Sequence, residues 1–166
     1  THFDTMRRYV DYLGTQATNH ILPQYWIGDW GTIVEGWKEG EPVSVVTAFY
    51  YYDTMIVAKA ASLLGRKVEA EKYSALANEI KVAFNRKFYD AKQRQYEKGT
   101  QFSNAFPLFL GLVDEADQTA VLQNILRDLE KHSNHFNVGV LGAKYLIAAL
   151  THAGRADVAF ALATQT

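Results

Sequence analysis

The sequence predicts an all-α fold built from antiparallel helical hairpins, and two observations carry that prediction. Three segments that are apolar almost all round each precede a segment with a single apolar stripe. Tight turns at Gly65, Asp114 and Gly154 alternate with long polar connectors. Because successive helices run antiparallel, every tight turn lies at one end of the hairpins and every long connector at the other. We therefore expect the residues that carry chemistry to share one face.

Three helices are predicted in the first half of the chain. Apolar residues recur at intervals of three and four from Phe3 to Ala17, which is typical of a helix with one buried stripe. After a long loop, Ser44 is a suitable N-cap for an almost wholly apolar helix from about Val45 to Leu64. Asp53 lies on that helix and needs a partner, because an unpaired buried charge is costly. A third helix, with one stripe from Tyr73 to Phe84, follows the first tight turn.

The second half of the chain repeats the alternation. A charged connector from Phe88 to Gly99 is expected to form a small hairpin. An apolar helix from Phe102 to Val113 follows it, and Pro107 within that helix requires either a kink or a helix start near Asn104. A striped helix, a polar connector at residues 132–139, a third apolar helix at residues 140–150 and a last amphipathic helix complete the chain.

An inner row of apolar helices backed by an outer row with one wet face fits a curved double layer, a closed α/α barrel or a solenoid of helix pairs. The predicted turns are 49 and 40 residues apart, which excludes a strict 34-residue helical repeat. Three and a half hairpins cannot close a barrel of six, so we expect an incomplete one. Inner helices without neighbours would expose apolar edges and favour association.

Composition excludes several classes of function. The net charge is -1 and no cluster of Lys or Arg is present, which argues against nucleic-acid binding. No apolar run approaches the roughly 20 residues that span a bilayer. The chain contains no Cys, which excludes disulfides and Cys-ligated metal. No targeting segment is visible at its start, so the localisation stays open between cytoplasm and export.

The long segment from about Asn19 to Val43 is the most informative loop. It contains Ile27-Gly28-Asp29-Trp30-Gly31-Thr32 and is rich in aromatic and acidic residues. Loops longer than about 12 to 15 residues are usually functional or disordered, and disordered segments are poor in aromatic residues. Aromatic faces beside carboxylates suit a ligand with apolar C–H faces and many hydroxyls. Such a ligand is a sugar.

An ordered set of motifs resembles the central catalytic domain of bacterial α-L-rhamnosidases, glycoside hydrolase family 78. These motifs are Gly28-Asp29-Trp30, the helix Ala48-Phe49-Tyr50-Tyr51-Tyr52-Asp53 ending at Leu63-Leu64-Gly65-Arg66, Thr100-Gln101 followed by Gly111-Leu112-Val113, and His135 with Gly139 and Leu141-Gly142-Ala143-Lys144-Tyr145-Leu146. The similarity runs from about Trp26 to Gln165. The resemblance implies that residues 1–166 are a fragment of a single (α/α)6-barrel catalytic domain, six-hairpin glycosidase-like and incomplete here. It also implies inverting hydrolysis of terminal α-L-rhamnosides.

The resemblance places the reacting carboxylates outside this chain. In an inverting enzyme one carboxylic acid protonates the leaving oxygen while a second carboxylate, about 6.5–9.5 Å away, activates water. In the family, the acid lies in an Asp/Arg/Glu-rich segment before the matched stretch, and the base is a Glu beside a Trp after it. Neither motif occurs here. The resemblance therefore implies no catalytic residue in this chain, and we expect the fragment to be inactive alone.

Four substrate-binding residues are carried over from the resemblance. Asp29 and Trp30 are expected to contact the sugar, His135 to lie at the rim, and Gln101 to contribute. Each has a structural alternative: Asp29 suits a turn or a helix cap, and Trp30 suits a plug at the end of the barrel. His132 and His135 have i, i+3 spacing but lack further ligands, so no metal and no cofactor is expected.

Two other functions fit the same pattern. One is a different α/α-barrel carbohydrate enzyme, such as a trehalase-like hydrolase or a uronate lyase. The other is a non-catalytic helical-repeat module that binds a protein or a glycan on its loop face. Long connectors gathered around one pocket would favour an enzyme. A flat connector face would favour the binding module.

Overall fold

A computed structural model describes residues 2–23, 29 and 44–165. The chain divides into two compact units. The first consists of Thr1–Trp26 and Pro42–Lys87, and the second of Ile27–Glu41 and Phe88–Thr166. Trp30 and the acidic residues Glu35, Glu39 and Glu41 lie outside the described residues. Among the described helices, none combines the length and the apolar content that crossing a membrane requires.

The first unit contains three helices at the predicted positions. They are α1 (His2–Gln16), α2 (Ser44–Leu63) and α3 (Lys67–Phe88, whose last residue belongs to the second unit). Helix α1 packs against α2, and the hydroxyl of Thr47 accepts a hydrogen bond from the backbone N–H of Leu22. Ser44 was expected to cap α2 but is instead its first helical residue.

Helix α2 is buried along one side and open along another. Val45, Ala48, Tyr50, Val57 and Ala61 are at most 5% exposed. A second set of apolar side chains on α2 is 38–81% exposed, namely Tyr52, Met55, Ile56 and Leu63. This helix was expected to be covered on most sides, whereas the described residues leave this set of apolar side chains exposed.

The second unit begins with a two-stranded hairpin and continues with four helices. Strands β1 (Tyr89–Asp90) and β2 (Gln95–Tyr96) pair antiparallel, which confirms the predicted hairpin. The helices are α4 (Gln101–Leu110), α5 (Glu115–Lys131), α6 (Val140–His152) and α7 (Ala156–Ala163). Helix α4 packs against both α5 and α6, and α6 packs against α7.

The core of the second unit joins all four of its helices. Its buried members are at most 5% exposed, and they are Ala105, Ile125, Leu129, Leu146, Ala149, Leu150, Ala159 and Leu162. The hairpin is fixed on α5, because the side-chain amide of Asn124 donates to the carbonyls of Gln93 and Arg94. Arg94 in turn pairs with Asp117 at 2.7 Å. The frame that carries the connectors of this unit is therefore tightly packed.

Glycine ends each apolar helix at the tight-turn side. Gly65, Gly111 and Gly154 have φ values of 70°, 79° and 76°, a left-handed conformation that glycine adopts without a Cβ clash. After Gly111, the N–H of Leu112 donates to the carbonyl of Pro107, which closes the end of α4. The turn expected at Asp114 therefore starts at Gly111, and α4 ends at Leu110 instead of Val113. The three glycines are 46 and 43 residues apart, a more regular spacing than the predicted one.

Helix α4 also starts earlier than its proline indicated. Thr100 is the N-cap, and its hydroxyl accepts from the backbone N–H of Ser103. Pro107 thus lies in the interior of the helix, which contradicts the alternative start near Asn104. This start places Gln101 in the first turn of α4, where its side chain reaches the next connector.

Candidate functional site

The connector between α5 and α6, residues 132–139, is where the predicted site residues meet. Side chains or backbone groups of Asp29, Gln101 and His135 all take part in its hydrogen bonds. Gln101 lies 34 positions before His135, whose carbonyl it contacts, and Asp29 lies 110 positions before Gly139, whose N–H it contacts. Trp30, the fourth predicted site residue, lies outside the described residues.

The connector begins with an unusual backbone. Ser133 and Asn134 follow α5 with φ values of 55° and 58°, in the left-handed region that non-glycine residues rarely occupy. The N–H of Asn134 donates to the carbonyl of Leu129 at 2.7 Å, which satisfies one of the free carbonyls at the end of α5. Such backbone conformations persist only where surrounding contacts hold them.

His132 links the end of α5 to the middle of the connector. Its Nδ1 lies 2.7 Å from the carbonyl oxygen of Asp128 and 3.4 Å from the carboxylate of that residue. Because a carbonyl only accepts, Nδ1 carries the proton, and Nε2 of the neutral ring accepts from the side-chain amide of Asn137 at 2.9 Å. His132 was considered as a metal ligand, but both of its ring nitrogens contact protein groups.

Gln101 bridges two backbone groups of the connector. Its Nε2 donates to the carbonyl of His135 at 3.1 Å, and its Oε1 accepts from the N–H of Asn137 at 3.0 Å. The side chain is fully buried. Its amide therefore holds the connector, whereas the sequence assigned it to the substrate.

His135 is the exposed histidine of this connector. Its Nδ1 lies 2.8 Å from the carbonyl oxygen of Ser133 and so carries the proton of the neutral ring. The remaining nitrogen, Nε2, is then a hydrogen-bond acceptor with a fixed orientation. This arrangement suits an incoming hydroxyl donor, and the rim position predicted from the resemblance stays a prediction.

Asp29 reaches the start of α6 from 110 residues earlier in the chain. Its Oδ2 accepts from the N–H of Gly139 at 2.6 Å, and its Oδ1 accepts from the N–H of Gly142 at 2.8 Å. The residue is 9% exposed. The helix-cap alternative considered for Asp29 is therefore present in the structure, and its partner helix is distant in sequence.

In the second unit, three residues near helix ends bond to the connector or to the start of α6. Gln101 at the start of α4, Asp29 at the start of α6 and Gln165 after α7 all bond to residues 134–142, and the amide of Gln165 donates to the carbonyl of Asn134. The tight turns at Gly111 and Gly154 end α4 and α6. Within this unit, the prediction that long connectors gather at one end holds for residues 132–139 only, because the tip of the hairpin at residues 88–99 contacts Asp117 near the tight turn at Gly111.

Two ionisable groups elsewhere have shifted pKa values that bear on the sequence analysis. Burial raises the pKa of the Asp53 carboxyl on α2, and no ion-pair or hydrogen-bond partner for it lies among the described residues. Burial also raises the pKa of Tyr96 in the hairpin. In the described part of the chain, no group of three His, Asp or Glu residues is arranged to hold a metal ion. The structural partner expected for Asp53 stays a prediction.

Sequence reasoning missed the residues that shape the connector. His132, Asn137 and Gly139 form much of its hydrogen-bond framework. The His132–His135 spacing drew attention to this segment for metal binding, whereas the structure uses the first histidine to fix the loop. Asn137 carried no signal, because its partners are set by tertiary contacts.

Comparison with known proteins identifies the family of this chain. All 166 residues match the family described as the bacterial alpha-L-rhamnosidase 6 hairpin glycosidase domain. A curated relative, an α-L-rhamnosidase of Formosa agariphila, is 26% identical over 165 residues, covering 97% of this chain and 18% of the relative. The chain thus spans less than a fifth of the length of that relative.

Solved structures share the fold. The structure of an α-L-rhamnosidase from Dictyoglumus thermophilum matches with a TM-score of 0.89 and 31% identity, over 99% of this chain and 19% of that one. An α-L-rhamnosidase of Streptomyces avermitilis, solved with L-rhamnose, matches with a TM-score of 0.88 and 24% identity, over 98% of this chain and 15% of that one. These matches confirm the predicted all-α class and the incomplete six-hairpin barrel.

Proposed function

Because this chain belongs to the bacterial α-L-rhamnosidase six-hairpin glycosidase domain family, we propose that it is the middle part of a catalytic domain that hydrolyses terminal α-L-rhamnosides. The curated relatives that are similar to it in sequence are named α-L-rhamnosidases, and the chain covers 15–18% of their lengths. The remaining parts of such a domain lie in a longer protein. The substrate of that protein is a small carbohydrate.

The observation that carries this proposal is the convergence of Asp29, Gln101 and His135 on one connector. The family resemblance assigns each of these residues to the substrate site. Residues that serve one site must lie together, and these three come from segments far apart in sequence. A set of unrelated surface residues would not converge in this way.

The reaction we propose is inverting hydrolysis. One carboxylic acid protonates the glycosidic oxygen, and a carboxylate about 6.5–9.5 Å away removes a proton from the attacking water. Both groups come from segments outside residues 1–166. This chain supplies the part of the site that receives the sugar, so it is inactive when produced alone.

Within this site, we assign the sugar contacts to Trp30 and His135. An indole ring offers a flat apolar surface, which suits the C–H face and the C6 methyl of a deoxy-sugar. Nε2 of His135 accepts a hydrogen bond from a sugar hydroxyl, since Nδ1 is already committed to the carbonyl of Ser133. Gln101 keeps the backbone around His135 in place.

The first experiment compares two aryl glycosides that differ at one atom. The full-length protein that contains this chain is assayed with an aryl α-L-rhamnoside and with the matching α-L-mannoside, which has a hydroxyl on C6. We expect a clear preference for the rhamnoside in kcat/KM and no turnover by the isolated 166-residue chain. Equal turnover of the two glycosides, or rhamnose release by the isolated chain, would contradict the proposal.

The stereochemistry of the product tests the inverting mechanism. NMR during the first minutes of the reaction should show β-L-rhamnose forming before mutarotation produces the α-anomer. Initial release of the α-anomer would indicate a retaining mechanism. A uronate lyase, which is one of the alternatives from the sequence, would leave this rhamnoside uncleaved, because the sugar lacks the C5 carboxyl group that such an elimination requires.

Replacement of His135 tests its contact with the sugar. His135→Ala removes one neutral hydrogen bond, so we expect kcat/KM for the rhamnoside to fall roughly 2- to 12-fold. His132→Ala is the matched control for losing an imidazole in the same connector, because its ring bonds to protein groups only. His132→Ala should lower stability, and His135→Ala should leave it unchanged. Full activity of His135→Ala would remove this residue from the site.

A further inference from the structure

The start of α6 lacks the side chains that usually close a helix N-terminus. The first N–H groups of a helix have no partner within the helix. In a capping box, the N-cap side chain bonds to the N3 backbone N–H and the N3 side chain bonds to the N-cap N–H. Here the N-cap is Gly139 and the N3 residue is Gly142. Neither glycine has a side chain with which to make these bonds.

Asp29 makes both missing bonds with one carboxylate. Its two oxygens accept from the N–H of Gly139 at 2.6 Å and from the N–H of Gly142 at 2.8 Å. Its carboxylate also lies at the positive end of the α6 dipole, where a negative charge is stabilising. The contacts therefore replace a complete capping box from a different segment of the chain.

The space around Gly142 is shaped for that carboxylate. A Cβ on Gly142 would lie 2.5 Å from Oδ2 of Asp29 and 2.5 Å from Cβ of Val138. Atoms this close must move apart, so any side chain at position 142 would displace the carboxylate. The absence of a side chain at this helix position is explained by the approach of Asp29.

From these contacts we infer that Asp29 is a positioning residue. Its carboxylate fixes the start of α6 and, with it, the end of the connector that carries His135. Only 9% of Asp29 is exposed, and both carboxylate oxygens accept from backbone N–H groups at the start of α6, so its role is to hold this segment in place.

The first test needs no substrate and is independent of the proposed function. Hydrogen exchange of the peptide covering residues 138–146 is measured in the full-length protein and in its Asp29→Asn variant. Asn retains one acceptor oxygen but places an NH2 group against the second backbone N–H. We expect exchange at Gly139 and Gly142 to accelerate at least tenfold. Unchanged exchange would overturn the inference even if the protein is a rhamnosidase.

Gly142→Ala tests the same contact from the other side. This variant keeps the Asp29 carboxylate but pushes it away from α6, so it should reproduce the faster exchange. In the Asp29→Ala/Gly142→Ala double variant, the two effects on exchange should be clearly less than additive. Gly14→Ala on α1 is the matched control, because its added Cβ would meet only the Tyr50 hydroxyl, at 3.1 Å. Fully additive effects would show that the two sites are not coupled.

The second test separates positioning from direct sugar contact, and it rests on the proposed function. Aryl rhamnosides that lack the 2-, 3- or 4-hydroxyl are compared in the wild-type enzyme and in Asp29→Asn. A positioning role predicts a kcat/KM that is about 10- to 100-fold lower for every substrate, with unchanged ratios between the substrates. A direct contact predicts that removal of one particular hydroxyl no longer matters in the variant. That second outcome would overturn the inference.

Failure of the inference and failure of the proposed function give different results. If the enzyme does not cleave rhamnosides but Asp29→Asn shows faster exchange, the proposed function is wrong and the inferred cap of Asp29 on α6 is supported. An active enzyme whose Asp29→Asn variant keeps full kcat/KM and normal exchange keeps the function and disproves the positioning role. Should Asp29→Asn fail to fold, exchange and kinetics of Gly142→Ala decide the question.

Discussion

Two aspartates in this chain, Asp11 and Asp29, have different structural roles because their surroundings differ. Asp11 on α1, in the first unit, is about a third exposed and pairs with the side chains of Tyr73 and Lys72. Asp29, in the second unit, is 9% exposed and pairs with two backbone N–H groups. Both carboxylates join segments that are far apart in sequence. They differ in what is lost when the charge is removed.

The groups that donate hydrogen bonds to Asp11 and Asp29 explain why loss of each charge has a different cost. Lys72 can find water when Asp11 is lost, because its side chain is 59% exposed. The backbone N–H groups at the start of α6 cannot move to water without changing the helix. Exposed ion pairs contribute about 0.2–1 kcal/mol, whereas leaving a buried polar group without a partner costs about 1–3 kcal/mol. The comparison predicts that polar contacts around the 132–139 connector govern both stability and function there.

The largest expected effect comes from Gln101→Glu. This variant places a carboxylate beside the carbonyl of His135, at a side chain that is fully buried. We expect the free energy of unfolding to fall by about 3 kcal/mol or more, because a buried charge faces an acceptor. Urea unfolding followed by circular dichroism measures it.

Gln165→Glu is the matched control for Gln101→Glu. Gln165 is exposed and also donates to a carbonyl of the same connector, that of Asn134. We expect a change of less than about 0.5 kcal/mol, as for most surface substitutions. Similar losses in the two variants would show that burial does not distinguish these contacts.

A smaller effect is expected from Asp11→Asn. The substitution keeps an acceptor for Tyr73 but removes the charge that pairs with Lys72. We expect a loss of about 0.5–1 kcal/mol in low salt that shrinks in 1 M salt, where the Debye length is about 3 Å. The effect of Asp29→Asn should not depend on salt. A salt-independent loss in Asp11→Asn would remove the contrast between the two carboxylates.

The pH dependence of stability follows from the same cluster. Burial raises the pKa of Asp11, but hydrogen bonds from Tyr73 and Lys72 outweigh this effect and hold the pKa below 3.8. The stabilisation by Asp11 is therefore complete above pH 3.8 and is lost as the pH falls through the lower folded value. Asp11→Asn should flatten the acid limb of the stability curve in urea titrations. An unchanged acid limb would contradict this assignment.

At alkaline pH, the stability of the protein changes with pH in the opposite direction. Burial and the bond to Asp11 raise the pKa of Tyr73 above 10.0. Burial lowers the pKa of Lys72, but its hydrogen bonds to Asp11 and Tyr73 outweigh this and raise it above 10.5. Their stabilisation is complete below about pH 10 and is lost as the pH rises through the folded values. Lys72→Met should weaken this alkaline loss, which urea titrations between pH 9 and 11 measure.

The smallest expected effect is a gain in stability from Asp53→Asn. Burial raises the pKa of Asp53, so its ionised form at neutral pH is unfavourable in the fold. We expect Asp53→Asn to raise the free energy of unfolding at pH 7 by a few tenths of a kcal/mol, and the gain should disappear below pH 3.8. A loss of stability at pH 7 would indicate that Asp53 has a partner that needs its charge.

The sequence was sufficient for the helices and insufficient for the contacts between connectors. Apolar periodicity placed α1, α2, α5, α6 and α7 within a few residues, because burial of one face leaves a local pattern. It placed the end of α4 wrongly, because Asp114 resembles a turn residue and the glycine three positions earlier ends the helix. The glycine at position 111 was the signal available in the sequence, because glycine commonly ends helices.

The site shows the same division. Resemblance selected Asp29, Gln101 and His135, and the structure brings all three to residues 132–142. Neither resemblance nor pattern showed that Asp29 and Gln101 bond to backbone groups of this segment. Asp29 was assigned to the sugar from the resemblance, since an Asp between Gly and Trp by itself suits a turn or a helix cap. Its partners are 110 and 113 residues away.

The amino-acid sequence by itself determined which segments are helical, which helices are apolar all round and that glycine ends α2 and α6. These properties depend on side chains three or four positions apart, which periodicity records. Only the tertiary structure decided that one carboxylate caps α6 and that one buried amide holds the connector bearing His135. A hydrogen bond between distant segments depends on how the helices pack, and packing leaves no trace in the local order of residues.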